Sequence, residues 1–178
     1  MPWGKHRTLQ NVENFIRKKK HLRQKLLRDL ENLRIVKEAD VECAVYYHLR
    51  RYIGEDPKWQ VFARLHVRRI GRYPDLLIFE DGRPAVAMEL KWNSVDIGKK
   101  DRRALYAALT KLKVQKAYWL STIYSDNKKK TTLRKRLKEK YRLHRVVVRL
   151  GFTGRKLDDW ERRRSQYRKK MAFGKGHK

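Results

Sequence analysis

The feature that most constrains this chain is a pair of short apolar runs punctuated by charge. They are Tyr73-Pro74-Asp75-Leu76-Leu77-Ile78-Phe79 and, beyond Asp81-Gly82-Arg83, Ala87-Met88-Glu89-Leu90-Lys91. Together they read as the two strands of a hairpin. A carboxylate or ammonium set in an apolar strand must be paired or bound to a metal, so Asp75, Glu89 and Lys91 demand a chemical reason. Side chains alternate across a strand, which puts Glu89 and Lys91 on one face. With Asp75 opposite Glu89, both acids share that face. This register predicts a three-residue Asp81-Gly82-Arg83 connection or an equivalent bulge. A plain two-residue Asp81-Gly82 turn would shift the pairing by one and separate the acids.

Two carboxylates so placed predict a hard divalent cation, Mg²⁺ or Mn²⁺, with the Leu90 backbone carbonyl as a further oxygen ligand. Such a cation lowers the pKa of a bound water and neutralises charge building on a phosphate. Lys91 is expected to orient that water or to stabilise the developing charge. One more acid is expected from the preceding helix, Glu42 first and Glu38, one turn away, second. The six histidines lack metal-ligand spacing; of them His66 is the candidate for a place near the site. Cys43 is the sole cysteine, which excludes an intrachain disulfide and a cysteine-based zinc site. It is expected to be a small core residue. Trp92 is expected to pack, and Asp96 and Asp101 to serve as helix-cap or first-turn residues.

Hydrophobic periodicity places the other elements. Residues 11–34 read as a long basic helix with Val12, Phe15, Ile16, Leu22, Leu26, Leu30 and Leu33 on a stripe broken at Lys18 to Lys20. That stripe is expected to pack on the main domain or on a second subunit. A second helix runs over 37–53 and ends at Gly54. Residues 59–69 alternate as a strand with Val61, Ala63, Leu65 and Val67 on one side. Strands over 75–80 and 84–92 follow, then a helix over 98–113, a strand over 116–124, a charged helix over 131–141, a strand over 145–152 and a basic helix over 157–171. This order predicts an α/β fold with a mixed central sheet flanked by helices. The expected organisation is a basic helical extension (1–36), a core (37–152), and a basic C-terminal helix and tail (153–178).

The net charge of +29 exceeds what solubility requires and implies a polyanionic partner, nucleic acid above all. It is unevenly spread: residues 126–178 hold 21 Lys/Arg against 5 Asp/Glu, whereas residues 38–125 hold 16 against 11. Carboxylates thus gather in the middle, framed by cationic flanks. Arg68, Arg69 and Arg72 beside Asp75, Lys99, Lys100, Arg102 and Arg103 opening the helix after Lys91, and Lys128, Lys129 and Lys130 are the candidate phosphate contacts. The runs over 134–140 and 162–170 extend that surface. No apolar run reaches the length of a membrane span, and the N-terminus lacks a hydrophobic signal region. A cytoplasmic protein is expected, nucleoid-associated, or in a host cytoplasm if viral.

Over about residues 37–125, a helix bearing Glu42, a strand, Pro74-Asp75, Glu89-Leu90-Lys91, a helix and a strand follow in order. This layout resembles the core of the PD-(D/E)xK nuclease superfamily, which includes restriction enzymes, archaeal Holliday junction resolvases and phage-type exonucleases. The resemblance implies a restriction-endonuclease-like sheet, Asp75 and Glu89 as metal ligands, Lys91 as the catalytic lysine and Glu42 as the helix acid. The stretch from Glu42 to Gly54 is similar to the first helix of archaeal resolvases, whereas the basic N-terminal helix and C-terminal region depart from a small resolvase. The expectation is therefore a Mg²⁺-dependent DNA endonuclease working as a homodimer, with the N-terminal helix as candidate dimer element. The alternatives are a Holliday junction resolvase and a non-catalytic basic nucleic-acid-binding protein.

Overall fold

The hairpin settles into the expected register by the bulged route. In the computed structural model, which describes residues 7–65, 74–93, 97–123, 143–149 and 155–173, strand β2 (Leu76–Glu80) pairs antiparallel with β3 (Arg83–Trp92). Leu76 faces Met88 and Ile78 faces Val86, but Phe79 faces Pro84. Ala85 is thus the extra residue of a β-bulge. The turn itself is tight: Asp81 (φ 49°) and Gly82 (φ 71°) are both left-handed, the backbone of a two-residue type I′ connection. The bulge restores the register that this turn would otherwise lose, and Asp75 comes level with Glu89.

Three more strands complete one sheet: β1 (Trp59–Ala63), β4 (Lys116–Ile123) and β5 (Leu143–Arg149), hydrogen-bonded in sequence order from β1 to β5. β1, β2 and β3 form an antiparallel meander, while β3, β4 and β5 run parallel. Parallel neighbours need a crossover, and helix α4 (Lys99–Lys111) lies on the path from β3 to β4. The sheet is therefore mixed, as expected. The helix predicted over 131–141 lies outside the described residues.

The predicted long N-terminal helix is two helices, α1 (Leu9–Arg17) and α2 (Gln24–Glu31), joined by a kinked segment over Lys19–Arg23. The break falls where the apolar stripe lapses: Lys18 is extended, and His21 (φ −114°, ψ −112°) is not helical. Val12, Phe15, Ile16, Leu22, Leu26 and Leu30 are all buried in the same core as the sheet. The stripe that made this segment a candidate dimer element is consumed within the chain.

Helix α3 (Glu38–Ile53) adds Val41, Val45 and Leu49 to that core. The Asp40 carboxylate starts it by accepting the Val36 and Lys37 amides at 3.0 and 3.1 Å, satisfying donors that a helix N-terminus leaves open. Gly54, at φ 71°, ends it. Cys43, expected in the core, is exposed; two positions from both Val41 and Val45, it falls on the far side of the helix. On the opposite face of the sheet, Leu77, Ala87 and Trp119 pack with Leu105 and Ala108 of α4.

β1 ends at Ala63, and the predicted strand's last residues, 66–69, lie outside the described residues. Arg64 adopts φ 48°, and Leu65 packs against the α4 side while Val61 belongs to the α3 side. The predicted placement of Val61, Ala63 and Leu65 on one side fails because one left-handed residue interrupts the alternation. Helix α5 (Arg155–Phe173) closes the described chain. Its Trp160 is buried and donates its indole N–H to the Leu30 carbonyl at 2.8 Å. Among the described residues no helix is long and apolar enough to cross a membrane.

Candidate active site

Asp75 stands immediately before β2, and its Oδ2 accepts the Leu90 amide at 2.7 Å. That bond fixes the carboxylate against β3. Glu89, on the same strand, is 4% exposed and hydrogen-bonds the Asp75 side chain. Burial, then the negative charges of Asp75 and Asp101, push the Glu89 carboxyl up to about 10, and Lys91 offsets this only in part. Burial also raises Asp75, against the pull of the Leu90 amide and Lys91. Both carboxyls are thus pushed toward the protonated form, Glu89 by burial and the neighbouring acids and Asp75 by burial.

Lys91 completes the expected trio on this face, in a setting the sequence did not suggest. Its Nζ lies 3.1 Å from Glu38 Oε1 and 3.3 Å from Asp101 Oδ2. Glu38 is the first residue of α3 and Asp101 the third of α4, so the ammonium ties together the N-terminal turns of helices on opposite faces of the sheet. Burial alone would lower the Lys91 pKa, but the Glu38 and Asp101 carboxylates outweigh it and the net shift is upward. Lys91 is a charged ammonium.

Glu42, the first-choice helix acid, is engaged by Arg64. Arg64 Nε lies 2.8 and 3.0 Å from the two Glu42 oxygens, and Nη2 lies 2.8 Å from Oε2. The Glu42 charge is felt at Asp75, so this acid borders the pair. Both helix acids thus reach the site, Glu38 through Lys91 and Glu42 beside Asp75.

Asp101 and Arg64 are the residues that sequence reasoning missed. Asp101 is the first-turn acid it was expected to be, and it is also a Lys91 partner. A signal existed: a crossover helix begins near the end of the strand it leaves, so an acid in its first turn returns toward Lys91. A Cβ on Gly98 would lie 3.0 Å from Asp101 Oδ2, and the bare glycine leaves the carboxylate its place. For Arg64 no local signal existed, because its orientation follows from its left-handed backbone.

A divalent cation fits the Asp75–Glu89 pair by donor chemistry, since both groups offer hard oxygen and lie side by side at the end of β3. The pair is only part of a ligand set. Among the described residues, no group of three or more His, Cys, Asp or Glu side chains is arranged to hold a metal ion.

Lys99, Lys100, Arg102 and Arg103 occupy the first two turns of α4 and are exposed, and Arg102 Nη2 donates to the Ile97 carbonyl at 3.5 Å. Arg68, Arg69, Arg72, Lys128, Lys129, Lys130, His66 and Asp96 lie outside the described residues. Trp92 packs as expected, its ring 6.5 Å from that of Trp160. The Arg164 guanidinium lies over Trp92 and donates to the Val36 carbonyl at 3.0 and 3.1 Å. These contacts hold α5 next to the Lys91 end of β3. Compared with family models, with curated proteins and with solved structures, the chain matches none.

Proposed function

We propose that this protein is a Mg²⁺- or Mn²⁺-dependent nuclease of the PD-(D/E)xK type, acting on DNA as an endonuclease. The observation that carries the proposal is the buried Glu89 carboxyl beside Asp75, whose Oδ2 is fixed on the Leu90 amide, with the Lys91 ammonium two residues along the same strand. A structural role alone gives little reason to set two carboxyl groups side by side at a buried strand, because each raises the cost of ionising the other. An antiparallel β1-β2-β3 meander followed by a parallel β4 supports the restriction-endonuclease-like core, with α3 and α4 on its two faces.

When bound, a divalent cation supplies an activated water and offsets charge on the scissile phosphate. Asp75 and Glu89, with the Leu90 carbonyl, are the residues that would hold it. Lys91 contributes a fixed positive charge within reach of the water or the phosphate, and its two carboxylate partners keep it protonated. The exposed cations opening α4, Lys99, Lys100, Arg102 and Arg103, attract the backbone on the same side. Cutting both strands of a duplex requires two such sites. A homodimer would supply them through a surface other than the α1–α2 stripe.

The test is cleavage of labelled duplex, single-stranded and four-way-junction DNA in Mg²⁺, Mn²⁺ or EDTA, comparing the wild type with Asp75→Ala and Lys91→Ala. Metal-dependent cutting that vanishes in both variants while DNA binding persists is expected. Preference for the four-way junction would move the assignment to a junction resolvase. Tight binding without cutting in any metal, with the variants behaving as the wild type, would sink it in favour of a non-catalytic nucleic-acid-binding protein.

A further inference from the structure

Arg64 and Glu42 form a close charge pair bordering the site, and they differ in exposure. The Arg64 side chain is 68% exposed and that of Glu42 is 12% exposed. Arg64 grips both oxygens of Glu42 through its Nε–Nη2 edge, the forked geometry with which a guanidinium also takes two oxygens of a phosphodiester. Only the Arg64 end of the pair faces solvent, so the guanidinium is open to an incoming phosphate while the Glu42 carboxylate stays largely covered. Exchange of the guanidinium from carboxylate to phosphate leaves the Glu42 charge needing a new positive partner, which a cation beside Asp75 would supply.

The backbone of Arg64 is positioned for this. Its amide donates to the Asp75 carbonyl at 3.0 Å, which fixes the residue beside the pair. Its φ of 48° lies in the left-handed region that a long branched-headed side chain seldom adopts, and it reverses the side-chain alternation of β1. Strain of this kind persists where surrounding structure enforces it, often at functional sites. Glu42 in turn lies near enough for its charge to act on Asp75, yet both its oxygens are spent on Arg64.

Resting on the nuclease reading, we propose that Arg64 is a substrate-phosphate ligand whose transfer from Glu42 to the nucleic-acid backbone frees Glu42 to join Asp75 and Glu89 as a third carboxylate for the cation. In the free protein Arg64 is a latch on Glu42. A phosphodiester opens it, so the cation site is completed where a substrate is present.

Isothermal titration of Mn²⁺ into the nucleic-acid-free protein tests this without any turnover, with a thermal melt of each variant establishing its fold. Arg64→Gln is expected to bind Mn²⁺ about 10-fold more tightly than the wild type, a gain of the size of one freed carboxylate ligand. Adding Glu42→Gln should cancel that gain. Arg64→Gln should also bind DNA more weakly, with a salt dependence shallower by about one phosphate contact. Mn²⁺ affinity unchanged or lowered in Arg64→Gln, while Asp75→Asn abolishes binding, would overturn the latch and leave the metal site standing. Mn²⁺ binding indifferent to Asp75→Asn, or no Mn²⁺ binding by any form, would overturn the metal-site reading and the latch with it. Should Arg64→Gln fail to fold, Arg64→Lys serves instead: it keeps the charge but not the fork, and a tighter Mn²⁺ affinity supports the latch whereas an unchanged one overturns it.

Discussion

Asp101 places its carboxylate 3.3 Å from the Lys91 ammonium, across the gap between the first turn of α4 and the end of β3. With Glu38 on the other side at 3.1 Å, it fixes both the position and the protonation of the lysine. Asp101→Asn should therefore lower the cleavage rate about 10-fold, less than the roughly 10²–10³-fold loss from Lys91→Ala. DNA affinity should hold or rise slightly, because a negative charge is removed. Single-turnover rates alongside equilibrium binding check this. Equal losses in the two variants would mean that Asp101 does more than position the lysine.

The Glu89 proton makes fold stability depend on pH. Its carboxyl is raised from 4.5 to about 10 by burial and by Asp75 and Asp101, so between those values the folded state binds a proton that the unfolded state has lost. Stability must then fall as pH rises through that window. Glu89→Gln keeps the shape and removes the titration. It should raise Tm, with a gain that is small near pH 5 and grows toward pH 9. A difference on the order of 1 kcal/mol corresponds to about 2–4 °C for a chain of this size. Differential scanning calorimetry at pH 5, 7 and 9 measures it, and a gain independent of pH would contradict the raised Glu89 carboxyl.

A cation that replaces this proton must release it. Mn²⁺ affinity should rise from pH 6 to pH 9, with about one proton released per ion bound. Titrations in two buffers of different ionisation enthalpy count that proton directly. Glu89→Gln should show weaker binding and no release.

Helix α5 is anchored by Trp160, which is 1% exposed, bonded to the Leu30 carbonyl of α2 and packed beside Trp92 at the Lys91 end of β3. Trp160→Ala should cost about 3–5 kcal/mol by leaving a cavity. Its effect on the urea midpoint should be accompanied by lower DNA affinity, since the exposed Arg162 and Arg163 of α5 lose their fixed place. Arg162→Gln with Arg163→Gln should leave the midpoint unchanged and flatten the salt dependence of binding by about one unit for each phosphate no longer neutralised.

Much of this architecture could be read from spacing. Alternation in two apolar runs put Glu89 and Lys91 on one face, and the demand that Asp75 join them implied the extra residue that Ala85 provides. Helix α3 and its stop at Gly54 followed from periodicity and from glycine's tolerance of positive φ. The N-terminal helix was overextended because its apolar stripe resumes after the lysines with nearly helical spacing. Packing onto the sheet requires a change of direction there. Cys43 was misplaced by reading a whole segment as apolar when only one side of it is.

What the sequence determined by itself is what the local backbone dictates: the faces of strands, the ends of helices, the excess positive charge and the identity of the two carboxylates. Only the tertiary structure decided which charges meet. Lys91 finds Glu38 from 53 residues away, and Arg64 reaches Glu42 across 22. Such pairings depend on where whole helices dock and on one left-handed residue that turns a side chain toward the site. Neither is encoded in the period of the chain, because an ion pair is set by distance in space.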